Sequence, residues 1–150
     1  RISLLQRLVQ HADTNARYNV YFGKGRDIYD VRGRVAHESV FNVRDGSYRC
    51  PSTQQGYTPF STWTRGIAWV MLGYAEQVEF LATLGNAELK PFGGRKALLA
   101  RYVDAARATA DFYIGNTPSC GSAHMIADSA PHPAAPGARC LSPAAAASRT

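Results

Sequence analysis

From Phe60 to Leu81 the residues Phe60, Trp63, Ile67, Val70, Tyr74, Val78 and Leu81 recur at three- and four-residue steps, the spacing of one apolar helix face. A second row, Arg65, Trp69, Leu72 and Glu76, steps down a different side of the same segment, while Gly66, Ala68 and Gly73 keep it slim between the two. A helix used on two sides belongs inside a layered helical protein and not at its surface. The pattern predicts a helix that begins near Pro59, where proline is tolerated in the first turn, and stops at Gly85-Asn86.

The flanking segments fit that expectation. Leu4, Leu5, Leu8, Val9, Ala12 and Ala16 predict one amphipathic helix between Ile2 and about Val20. Leu98, Leu99, Tyr102, Val103, Ala106 and Ala110 predict a third helix after a Pro91-Phe-Gly-Gly94 linker, with Gly115-Asn-Thr-Pro118 as its stop. Between Tyr21 and Tyr57 the periodicity fails, glycines punctuate the chain, and Arg44-Asp-Gly-Ser47 reads as a tight turn beside an extended Val40–Val43 piece. A connection of this length inside a compact fold is usually functional. Residues 119–150 are rich in Ala, Pro and Ser and nearly devoid of large apolar side chains, so they are expected to be a disordered or non-native tail. The abrupt change of composition after the third helix suggests a shifted reading frame or a gene broken at its end. The sequence begins inside an amphipathic pattern and without methionine, which suggests a start in mid-domain.

Composition narrows the function. The net charge of +6 favours acidic partners. Arg26, Arg32, Arg34, Arg44 and Arg49 are scattered, without the basic stripe or aromatic interleaving of a nucleic-acid binder, and read as a solvated face. Cys50, Cys120 and Cys140 are odd in number and far apart, and His11, His37, His124 and His132 lack paired spacing, so neither a disulfide framework nor a metal site follows. No cofactor is implied. No run of eighteen apolar residues occurs, so no membrane span is expected, and unpaired cysteines without a signal segment lean toward the cytoplasm.

The stretch Gln55-Gly-Tyr-Thr-Pro-Phe-Ser-Thr-Trp-Thr-Arg-Gly-Ile-Ala-Trp69 gathers an amide, two indoles and a guanidinium. A guanidinium fork suits a carboxylate, an indole face suits a pyranose ring, and a carboxamide serves hydroxyls. The set reads as a sugar-acid pocket. Taken alone, Trp63 and Trp69 also fit a core role, but Arg65 and Trp69 are neighbours at i and i+4, which lets the guanidinium lie beside the ring. Trp63 belongs equally to the main apolar stripe. Gln55 is also compatible with a plain turn, and His37 stands next to Glu38, which could orient an imidazole. Asp27, Asp30 and Asp45 sit in turn-like contexts and are expected to be solvated turn or ion-pair groups, and Glu76 and Glu79 exposed helix charges.

With Gln55-Gly-Tyr57, Ser61-Thr-Trp-Thr-Arg-Gly66 and Ala68-Trp69, the chain resembles the unsaturated glucuronyl hydrolases of glycoside hydrolase family eighty-eight and their unsaturated rhamnogalacturonyl relatives, most strongly from about Ala36 to Leu84. The resemblance implies an all-α fold, a fragment of a six-hairpin (α/α)6 barrel spanning residues 1–118, with a long loop between its first and second helices. It implies that His37, Gln55, Trp63, Arg65 and Trp69 bind an unsaturated uronic-acid oligosaccharide. It also implies hydration of the C4–C5 double bond by an aspartate that acts first as acid and then as base. That aspartate is expected upstream of residue 1, so this chain alone is expected to be inactive. A non-catalytic carbohydrate-binding or helical interaction module is the alternative.

Overall fold

The computed structural model describes residues 3–117. Expectations for the tail, for Cys120 and Cys140 and for His124 and His132 fall outside the described residues. Four α-helices and one small antiparallel hairpin follow in the order α1 (Leu4–Tyr18), β1 (Glu38–Phe41), β2 (Tyr48–Ser52), α2 (Thr64–Thr83), α3 (Asn86–Leu89) and α4 (Arg95–Asn116). A single 3₁₀ turn, Lys90–Phe92, joins α3 to α4. The protein is therefore mostly helical, and the hairpin corrects the all-α expectation. Val40–Val43 is extended only to Phe41, because the turn begins earlier: Asn42 accepts the Gly46 N–H, and Gly46 takes φ +69°.

Antiparallel packing of α2 on α4 forms the centre. Ile67 near the start of α2 shares a buried cluster with Phe112 near the end of α4, whereas Leu81 and Leu98 lie in the cluster at the opposite end. The main stripe of α2 is the buried one, with Ile67, Tyr74 and Leu81 almost wholly shielded. Helix α1 lies across this pair through Val9 and Ala12, held by the Tyr74 hydroxyl donating to the Ala12 carbonyl (2.6 Å) and by Arg101 donating to Asp13 (3.1 Å). The second row of α2 is not covered by any described residue: Trp69 is 62% and Leu72 58% exposed.

The start of α2 departs from the sequence expectation. Pro59 and Phe60 precede the helix, which begins at Thr64 after Trp63 as N-cap. Local side-chain bonds win here. The Thr58 hydroxyl accepts from the N–H groups of Phe60 (3.2 Å) and Ser61 (3.0 Å), and the Ser61 hydroxyl closes back on the Thr58 carbonyl (3.0 Å). Such a turn offers the backbone an alternative to the helix ladder. The remaining boundaries shift by little: the expected Pro91–Gly94 linker holds the 3₁₀ turn, and α4 runs through Gly115.

The long connection is organised from its ends. Residues 19–21 pair with residues 33–36 through Tyr21 N–H to Arg34 carbonyl (2.9 Å), Gly33 N–H to Tyr21 carbonyl (2.8 Å) and Ala36 N–H to Asn19 carbonyl (2.8 Å). The loop so closed is filled by the Asp30 carboxylate, which accepts from the N–H groups of Gly23 (2.9 Å), Lys24 (2.9 Å) and Arg26 (2.7 Å). Partial burial alone would raise the Asp30 pKa, but these three donors outweigh it and hold the carboxyl below its ordinary value. Arg34 corrects the reading of the arginines as a solvated face. It is 3% exposed, donates to the Tyr29 carbonyl (2.7 Å) and the Thr62 hydroxyl (3.3 Å), and its guanidinium lies 5.3 Å from the Tyr21 ring centre. Arg26 likewise lies on the Tyr21 ring, 3.7 Å from its centre.

Candidate functional site

The hairpin works as a clasp. Its register pairs Glu38 with Ser52, so the residues just outside the pairing, His37 and Thr53, face each other across the open end. Thr53 Oγ1 lies 2.9 Å from His37 Nδ1, and the Gln54 N–H donates to the same nitrogen at 3.3 Å. A backbone donor needs a lone pair on Nδ1, so the neutral imidazole carries its proton on Nε2. Glu38 plays no part in orienting the ring; Thr53 takes that role. Thr53 Oγ1 also accepts the Gly56 N–H (2.8 Å), turning the chain sharply enough to set Gln55 opposite the start of α2.

From that side Trp63 completes the arrangement. Its indole centre lies 4.3 Å from the His37 ring and 5.5 Å from Trp69, which meets it edge to face at 89°. Glycines make this approach possible. A Cβ on Gly66 would sit 3.1 Å from the Trp63 ring, and a Cβ on Gly56 would sit 2.7 Å from Thr53 Oγ1. The glycines inside Gln-Gly-Tyr and Arg-Gly therefore have a local packing reason.

Arg65 closes the set. Its guanidinium carbon is 4.4 Å from the Trp63 ring centre and 5.7 Å from that of Trp69, and it donates to Gln55 Oε1. Both Arg65 and Gln55 are exposed. Neither a side-chain cap nor an acidic residue occupies the first turn of α2, so the positive end of the helix dipole lies beside the guanidinium without local compensation. Anions are favoured at such a place.

The five residues His37, Gln55, Trp63, Arg65 and Trp69 thus form one continuous cluster, but on two sides. His37, Trp63 and Trp69 line a cleft of about 370 Å³ between α1 and α2, whereas Gln55 and Arg65 lie outside its lining. Sequence reasoning missed Thr53, which orients His37, and the buried Arg34–Thr62 contact, which anchors the residue before Trp63. A hydroxyl and an arginine in a loop carry no periodic signature; only the tertiary pairing singles them out. It also missed Asn15 and Gln77, which line the cleft from α1 and α2. No aspartate or glutamate lines that cleft. No cluster of three or more His, Cys, Asp or Glu able to hold a metal occurs among the described residues, where Cys50 is free and exposed. No described helix is long and apolar enough to cross a membrane.

Comparison with known proteins gives a partial likeness. Over 85 residues, 55% of this chain, the sequence is 36% identical to an unsaturated glucuronyl hydrolase of Bacillus sp. (strain GL1). The matched stretch spans 22% of the length of that relative. No protein-family model matches the chain, and no solved structure does.

Proposed function

We propose that this chain supplies part of the substrate-binding wall of a glycoside hydrolase that acts on unsaturated uronic-acid oligosaccharides. The observation that carries the reading is the Arg65 guanidinium, set against Trp63 and Trp69 and joined to Gln55. Arg65 would hold the uronate carboxylate, with the uncompensated helix end adding to the attraction. Trp63 and Trp69 would pack against the ring, and Gln55 and the His37 Nε2–H would meet its hydroxyls. The partial likeness to the bacterial enzyme supports the same class of ligand. In this reading the five residues bind and orient. The proton for the C4–C5 double bond comes from a carboxylic acid outside these residues, since the cleft lining contributes none.

Titration with an unsaturated uronyl disaccharide, followed by calorimetry, tests the reading. Arg65→Ala is expected to weaken binding about 10- to 100-fold, the worth of a charge-assisted hydrogen bond of about 1.5–3 kcal/mol. Equal affinity for the native and Arg65→Ala chains would sink it. The carboxylate-free cleft lining favours a second reading, a carbohydrate-binding module without chemistry. Loss of the ultraviolet absorbance of the substrate double bond requires a hydrolase, whereas binding with stable absorbance supports the module.

A further inference from the structure

A second cleft lies on another face of α1. Ala16 and Arg17 of α1, Phe22 and Lys24 of the loop that follows it, and Arg101 and Asp104 of α4 line an open groove of about 400 Å³. None of them belongs to the cluster around Arg65, and the α1 residues that border the first cleft, His11, Ala12 and Asn15, stand on a different side of the helix. Charge in this groove is unevenly matched. Arg101 donates to Asp13 through Nε (3.2 Å) and Nη2 (3.1 Å), and Arg32 donates to Asp104 (2.6 Å), so both carboxylates are already taken. The Arg17 guanidinium and the Lys24 ammonium form no ion pair or hydrogen bond with any described residue. They lie near rings instead, Arg17 5.1 Å from the centre of Tyr18 and Lys24 5.6 Å from that of Phe22.

Four cations and two carboxylates thus gather at the groove, and two positive charges are left over. A carboxylate would match one of them. A phosphate monoester carries about −1.5 to −2 charges at neutral pH and three acceptor oxygens, and so matches both the planar fork of Arg17 and the point charge of Lys24. Phe22 and Ala16 add apolar surface beside these charges, which a bare phosphate would leave uncovered. The volume of the groove lies within the range for small-molecule sites, roughly 300–1,000 Å³. We propose that this groove is a site for a small phosphate monoester carried on a flat aromatic or heterocyclic ring, the phosphate paired with Arg17 and Lys24 and the ring set against Phe22. The site is independent of the uronate reading, because it shares no residue with the Arg65 cluster.

Nuclear magnetic resonance of the isotope-labelled full chain, titrated separately with phenyl phosphate, inorganic phosphate and phenol, tests the site. Phenyl phosphate is expected to shift the Phe22 ring signals saturably and to bind at least about tenfold more tightly than inorganic phosphate, the worth of an apolar ring taken out of water. Phenol, which keeps the ring without the charge, should bind at least about tenfold more weakly than phenyl phosphate. The double variant Arg17→Gln/Lys24→Gln should lose at least about tenfold in affinity for phenyl phosphate. Arg44→Gln/Arg49→Gln removes the same net charge from the exposed hairpin and should change that affinity by less than about twofold. Equal losses in the two double variants would mean attraction by net charge alone and overturn the site. Equal affinity for phenyl and inorganic phosphate, or Phe22 signals that stay still, would overturn it too. Arg17 and Lys24 are exposed, so their replacement spares the core, and the Phe22 signals are read on the native chain without any variant. Binding of phenyl phosphate that is lost in Arg65→Ala but kept in Arg17→Gln/Lys24→Gln overturns this site and moves the anion to the start of α2.

Discussion

Gly33 is the position where a single methyl group should do most harm. It takes φ +88°, and a Cβ built there would fall 2.0 Å from the Ala108 carbonyl oxygen and 2.6 Å from Phe112 Cβ, both on α4. Gly46 supplies an internal control, because it takes φ +69° with nothing within 4 Å of its virtual Cβ. Gly46→Ala should cost only the backbone penalty of about 1–2 kcal/mol. Gly33→Ala carries the same penalty plus overpacking of about 1–3 kcal/mol against a helix backbone that has little freedom to yield, hence at least about 3 kcal/mol for the larger part of that range. A domain holds about 5–15 kcal/mol in all. With a urea m-value of about 1–3 kcal/mol per molar, the unfolding midpoint should fall by about 1–3 M. Circular dichroism through a urea series reads this directly. Midpoints for the two variants that agree within about 0.1 M, below the smallest expected gap of about 0.3 M, would refute the claim that the loop is pressed onto α4. The effect should reach the site, because Arg34 follows Gly33 and bonds to Thr62, next to Trp63.

Three further outcomes are expected. Asp30→Asn replaces one acceptor oxygen among three N–H donors and should destabilise the chain by about 1–3 kcal/mol. The folded Asp30 carboxyl is held below its ordinary value, so its contribution is present above about pH 4 and is lost as pH falls through the lowered folded value. Acid titration of stability in the variant should be correspondingly flatter. Burial, with smaller contributions from nearby Asp13 and, for Tyr74, from Tyr102, pushes the Tyr74 and Tyr102 phenols upward. The unfolded chain therefore loses these protons first, and stability should fall above about pH 10 by about 1.4 kcal/mol per pH unit for each phenol. Tyr74→Phe should reduce that slope in alkaline urea melts. The uncovered row of α2 should make the isolated chain self-associate, and sedimentation should show Leu72→Gln shifting it toward monomer without changing its helicity.

Helix periodicity made three of the long elements legible, because each buries one face against the others and the stripe records that face. The second row of α2 was legible too, but what it would contact is not among the described residues. Helix starts were less readable. Pro59 carries the composition of a first turn, yet the hydroxyls of Thr58 and Ser61 capture the local N–H groups and delay the helix by several residues. The site was read as a string, and the string is indeed adjacent in space from Gln55 to Trp69. His37 joins it only through the strand register, since the pairing of Glu38 with Ser52 is a long-range fact that no local pattern encodes. The buried Arg34 was misread for a related reason. Whether an arginine points to water depends on carbonyls and rings brought in from elsewhere, here Tyr29 and Tyr21.

The Asp30 carboxylate has an evolutionary consequence. It recognises three backbone N–H groups and no side chain, so substitutions at Lys24 or Arg26 leave those bonds intact. The turn at residues 23–26 is thus set by one acidic residue together with the glycine at position 23, whose φ of +67° frees its N–H to turn inward. The side chain at Lys24 can therefore change while this turn keeps its form, whereas Gly33, pressed on α4, and Arg34, bonded to Thr62, cannot, so divergence at position 24 would say little about the site the loop supports.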